Sequence, residues 1–114
     1  MTVRTGTAVL ALLFALLVGP ALLSGGGGTS EAHDQDQVHA PLIDRIAETW
    51  PAIDDPSGAA MWPGYHWILA PVRMTGAGWP TVRSVSALFS FALLLVVFRT
   101  ACRWAPPGTA LLLT

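Results

Sequence analysis

The residues best equipped for chemistry sit in one short stretch, Glu31-Ala-His-Asp-Gln-Asp-Gln-Val-His39-Ala-Pro41. It holds three of the chain's seven acidic residues and two of its three histidines. His33, Asp34, Asp36 and His39 are metal ligands by type. Asp36 and His39 also share an i, i+3 spacing, which places both on one side of a helix. No established metal signature has this spacing, so a divalent metal is compatible with these residues but not required by them. A solvated polar linker accounts for the same composition. A carboxylate in such a stretch can also act as a general base toward an acceptor hydroxyl, a role that needs one well-placed acid and a polar neighbour to orient it.

A second group of candidates lies further along. His66 stands in an aromatic setting, Tyr65-His66-Trp67. A histidine there serves either as a structural hydrogen-bonding residue or in direct chemistry. Arg83 and Arg99 match the planar geometry of a phosphate, and both also suit a role as anchors at the end of a membrane span. Cys102, the single cysteine, excludes an internal disulfide and any multi-cysteine metal site.

The surroundings of these residues are apolar. Hydrophobic residues make up 53% of the 114-residue chain and charged residues 11%, about half the usual charged share. All six basic residues are arginine, and the net charge of −1 leaves no footprint for nucleic acid. From Thr5 to Ser24 the chain carries no charge. About 20 residues at 1.5 Å rise cross a hydrocarbon core of roughly 30 Å, so this run predicts a transmembrane helix over residues 5–24. Gly19-Pro20 is tolerated in such a helix. The competing reading is a cleaved signal peptide, but the run is long for one and Leu22-Leu23-Ser24-Gly25 is a poor cleavage site.

The second apolar run, Ser84 to Phe98, covers only about 22 Å by itself. It spans if Arg99 extends its guanidinium to the headgroups, which widens the segment to residues 82–102. Between the spans, residues 25–81 predict a loop. It opens with a flexible Gly25–Ser30 tether. Leu42, Ile43, Ile46, Ala47 and Trp50 form one apolar stripe on a short helix near 41–50, with Pro41 at its start and Pro51 at its end. That stripe suits a bilayer surface or the face of another protein element equally. Asp54 to Gly58 reads as a turn, and residues 64–75 as a second short helix interrupted by Pro71. Residues 103–114 read as a turn and the start of a third apolar helix. The expected fold class is therefore an all-α membrane protein with two transmembrane helices, the start of a third, and short interfacial helices in the connecting loop. Arg4, Arg99 and Arg103 put the N-terminus and residues 103–114 on the cytoplasmic side and the loop outside.

The order of parts resembles the N-terminal end of the GT-C integral-membrane glycosyltransferases, closest to the branch of the dolichol-pathway α-1,2-glucosyltransferase and its prokaryotic relatives. The residues that carry the likeness are Asp36-Gln-Val-His39-Ala-Pro41, Pro63-Gly64-Tyr65-His66 and Arg83-Ser-Val-Ser86-Ala-Leu-Phe89. The branch has Asp-Glu-x-(aromatic)-His-x-Pro in its first loop. Here Gln35 stands at the Asp position, Asp36 at the Glu position and Val38 at the aromatic, while His39 and Pro41 match. The resemblance implies a multi-span enzyme that takes a sugar from a polyprenyl-phosphate donor, of which this chain supplies two spans and part of a third. It implies Asp36 as the catalytic carboxylate, with the shifted Asp34 as the other acid available and His39 beside them. Tyr65, His66 and Arg83 fall at substrate-binding positions, and the implied partners are membrane lipid and a lipid-phosphate-linked sugar. The alternative is a small non-enzymatic two-span membrane protein or interaction subunit.

Overall fold

The computed structural model describes residues 1–24, 35–52 and 64–114. Every element among them is helical: α1 (Val3–Ser24), a π-helical turn (Gln35–His39), α2 (Ala40–Thr49), α3 (Gly64–Met74), α4 (Trp79–Ala101) and α5 (Pro107–Leu112). The expected glycine tether at 25–30, the turn at 54–58, and the residues Glu31, His33, Asp34 and Pro63 lie outside the described residues.

Helices α1 and α4 are both long and apolar enough to cross a membrane. α1 continues through Gly19 and Pro20 without a break. α4 is longer than its apolar run, because Trp79 and Pro80 start it three residues before the expected residue 82. Proline is well placed there, since the first N–H groups of a helix have no intrahelical acceptor. Both helices leave large apolar side chains uncovered: Leu17 is 77% exposed on α1, and Leu93 is 65% exposed on α4. A helix that is apolar all round and exposed in isolation needs lipid or further helices around it.

The chain divides into two compact units, one of Met1–Ala21 with Ser86–Thr114 and one of Leu22–Val85. In the first, Leu10, Phe98 and Ala110 form a small buried cluster, joined by Phe91, Leu94, Leu95 and Leu111. Phe14 and Phe91 pack with ring centroids 5.1 Å apart. The tightest point is Gly6. A β-carbon on Gly6 would meet Cζ of Phe98 at 2.5 Å, and the Phe98 ring is fully buried. The lack of a side chain at residue 6 is therefore what lets α1 approach α4 here. The expected start of a third helix at 103–114 is a turn followed by α5, whose Ala110 joins this cluster.

The second unit is built on α2 and α3. The predicted apolar stripe is real: Leu42, Ile43 and Ile46 are buried, and Asp44, Arg45 and Glu48 are not. Of the two surfaces open to this stripe, protein is the one it meets. Leu42 and Ile46 cluster with Ala70, and Ile43 clusters with Leu69 of α3 and Val82 of α4. Ile43, Leu69 and Val82 are at most 1% exposed, each worth roughly 1.5–3 kcal/mol of burial. Trp50 departs from the stripe: it is 38% exposed and lies against Trp67, centroids 5.6 Å apart.

One proline behaves differently from expectation. Pro71 was expected to interrupt the second short helix, but α3 runs through it to Met74. Helical structure also begins upstream of Pro41. Pro41 itself keeps the expected place in the first turn of α2, where an N–H has no intrahelical acceptor, with the π-helical turn directly before it. Two residues past the end of α3 stands Gly76, whose φ of +80° is the left-handed conformation that glycine adopts without steric cost, and its N–H donates to the Arg73 carbonyl.

Gly6→Ala is expected to destabilise the α1–α4 contact by about 1–3 kcal/mol. Phe98→Ala, which clears the space, is expected to remove most of that cost in the double variant. Thermal unfolding of the four proteins in detergent checks this, and additive losses would contradict the close approach.

Candidate functional site

The packing of α2 on α3 fixes where the histidines go. His39 is the last residue of the π-turn, and its backbone runs on helically into α2. His66 lies in the first turn of α3 and is 6% exposed. Although 27 residues separate them, Nδ1 of His39 and Nε2 of His66 are 2.8 Å apart. Their ring centroids are 5.0 Å apart and the planes are tilted by only 24°. That centroid separation is almost wholly taken up by the two ring radii and the nitrogen–nitrogen gap. The rings therefore meet edge to edge, nitrogen facing nitrogen, and do not lie face over face. One nitrogen donates and the other accepts, so both facing nitrogens cannot carry a proton at once.

Tyr65 stands almost perpendicular to both rings, at 6.4 Å from His39 and 5.3 Å from His66. His39, Tyr65 and His66 are thus brought together. Asp36 lies in the π-turn, three residues before His39. Asp34 lies outside the described residues. Arg83 is half-buried on α4 and belongs to the same unit, next to Val82, whose side chain packs on Ile43 and Leu69. Arg99 and Cys102 belong to the other unit. Among the described residues, no group of three or more His, Cys, Asp or Glu side chains is gathered to hold a metal ion.

Sequence reasoning missed a second set of contacts that braces this arrangement. Arg73 of α3 donates from Nε to Oδ1 of Asp44 on α2 at 2.7 Å and from Nη1 to the Ala77 carbonyl. Its guanidinium also lies 4.6 Å from the ring centroid of Trp79 at the start of α4. One arginine therefore ties together α2, the turn after α3 and α4. Trp67 adds a tie by donating from Nε1 to the Pro51 carbonyl at 3.1 Å. Nothing in local spacing marks Asp44 and Arg73 as partners, since they are 29 residues apart.

No family model, curated protein or solved structure matches the chain.

Arg73→Ala is expected to cost more stability than Asp44→Asn. The first removes an ion pair, a backbone hydrogen bond and a cation–π contact, whereas the second weakens only a partly exposed pair worth about 0.2–1 kcal/mol. Arg73→Lys should recover little, because an ammonium cannot hold several partners in one plane. Chemical unfolding of the three variants checks the order, and equal losses for Arg73→Ala and Asp44→Asn would contradict the bracing role.

Proposed function

We propose that the chain is the N-terminal part of an integral-membrane glycosyltransferase of the GT-C type, acting on a sugar carried by a polyprenyl phosphate. The observation that carries this reading is the His39–His66 contact. These are the histidines of the two loop motifs on which the resemblance rests, Asp-x-x-His-x-Pro and Pro-Gly-Tyr-His, and they meet across 27 residues of chain. The two long apolar helices on either side of the loop add support for a membrane setting.

In this reading the first span runs from the cytoplasm outward and the second returns, so the motif residues work at the outer face. The lipid tail keeps the donor's anomeric carbon close to the headgroups, at the depth of that loop. Asp36 takes the proton from the acceptor hydroxyl. The hydroxyl oxygen then bonds to the anomeric carbon, the bond from that carbon to the phosphate oxygen breaks, and polyprenyl phosphate leaves with the electron pair. Arg83 binds the phosphate through its planar fork. Tyr65 and His66 shape the pocket for the sugar.

The test uses the full chain in liposomes and a photoreactive polyprenyl-phosphate hexose. Labelling is expected within residues 35–52 and 64–85, competed by unlabelled donor. Arg83→Ala should reduce it by about tenfold, the loss of roughly 1.4 kcal/mol of phosphate binding. Asp36→Asn should leave it intact, because a base acts on the acceptor and not on the donor. Labelling no stronger than that given by a polyprenol without phosphate would remove the lipid-phosphate donor from the account.

A further inference from the structure

The two helices of the second unit have different outer faces. α2 turns its apolar stripe inward and carries Arg45 and Glu48 on its exposed side. That is the ordinary pattern of a helix set between a core and water. α3 lacks it. Its histidine and its arginine are both taken up within the unit: His66 is buried against His39, and Arg73 is paired with Asp44. The residues left on the outer side are Tyr65, Ile68, Pro71 and Val72, with Ile68 49% exposed. Tyr65, Ile68 and Val72 follow i, i+3, i+7 spacing, so they share one side of the helix. That side carries no charge. Thr75 continues it, and its hydroxyl donates back to the Val72 carbonyl at 2.7 Å. Trp67 borders it one turn before Pro71, with Trp50 stacked on its ring.

We infer that this outer side of α3 lies against bilayer lipid, at the level where headgroups meet acyl chains. Continuity with the span selects lipid over a protein partner. α3 passes through the short turn at 75–78 into α4, and its Leu69 packs on Val82 in the first turn of that helix. α4 then runs unbroken to Ala101 and is long and apolar enough to cross a membrane. A helix packed on the first turn of a span is held at the surface where that span enters the lipid. Composition agrees, because tyrosine and tryptophan beside aliphatic residues are typical of that depth. The polar groups at this side are also met from within the chain, by Trp67 on Pro51 and Thr75 on Val72. An interfacial helix ordinarily turns a polar face of its own to water. Here α2 takes that place, so the lipid-facing role falls to α3 and not to the α2 stripe, which protein occupies. The inference rests on α4 crossing the bilayer and is independent of the sugar-transfer reading.

The test uses the full purified chain with Cys102→Ala, in liposomes of phosphatidylcholine and phosphatidylglycerol. A nitroxide is attached through Ile68→Cys, Glu48→Cys or Leu93→Cys, one at a time. Dissolved oxygen concentrates in lipid, whereas a nickel chelate stays in water. At Ile68, collisions with oxygen are expected to exceed those with the chelate, and at Glu48 the order should reverse. Leu93, exposed within α4, reports on the span itself and should also favour oxygen. Oxygen in excess at Leu93 but chelate in excess at Ile68 would overturn the lipid contact and leave the span standing. Chelate in excess at Leu93 would overturn the span, and the inference with it. Oxygen in excess at Glu48 as well as Ile68 would overturn the one-sided contact. A label at Ile68 shielded from both reagents would mark a protein contact, a second copy if a neighbouring spin broadens its spectrum, and would equally overturn the proposal. If Ile68→Cys loses helicity by circular dichroism, the unaltered chain decides. A nitroxide-bearing lipid should then broaden the Ile68 methyl signals more than a soluble gadolinium chelate does, and the opposite order overturns the contact.

Discussion

The structure of the second unit depends on one apolar contact, the stripe of α2 seated against α3. Ile43, Ile46 and Leu69 are almost fully buried. Their removal from water is worth several times the roughly 1 kcal/mol that a single hydrogen bond contributes. The His39–His66 contact is therefore a result of this packing and not its cause. Polar contacts then refine the fit at separate points: the histidine pair, the Arg73–Asp44 ion pair, and Trp67 against Trp50 and Pro51. Each ties the end of one element to another, so the positions of the chemically capable residues follow from burial of residues that have no chemistry of their own.

The first unit follows a different logic. Its buried core is small, centred on Phe98, Leu10 and Ala110, and close approach at Gly6 replaces much of what side-chain burial would supply. The wide faces bearing Leu12, Leu16, Leu17, Leu88, Leu93 and Val96 remain exposed. In water such faces would drive association, whereas in a bilayer they are an ordinary lipid-facing or helix-facing surface. The contrast between the two units is one of solvent: one buries an amphipathic stripe, and the other displays apolar surface in all directions.

Much of this was legible in the sequence, because period and run length are local properties. The uncharged run from Thr5 to Ser24, the second run before Arg99, and the stripe Leu42, Ile43, Ile46 all mark helices that the structure contains. Pro41 and Pro51 bound α2 as their positions predict, but Pro71 does not end α3. Pro71 sits inside a helix whose Leu69 and Ala70 pack against α2, and the π-turn ahead of Pro41 is not signalled by composition. His39, Tyr65 and His66 could be named individually from type and motif. Their contact, like that of Asp44 with Arg73, joins residues more than 25 positions apart, and in a single sequence no periodicity records such a pairing.

The central claim is that the two loop motifs meet through their histidine rings. Solid-state NMR of the chain in liposomes, labelled with 15N at histidine and carrying His33→Ala, tests this most directly through nitrogen–nitrogen correlation. The account predicts one cross-peak between an Nδ1 and an Nε2 resonance of different rings, lost on His66→Gln. Two isolated imidazole spin systems in a chain that retains its helices would contradict it.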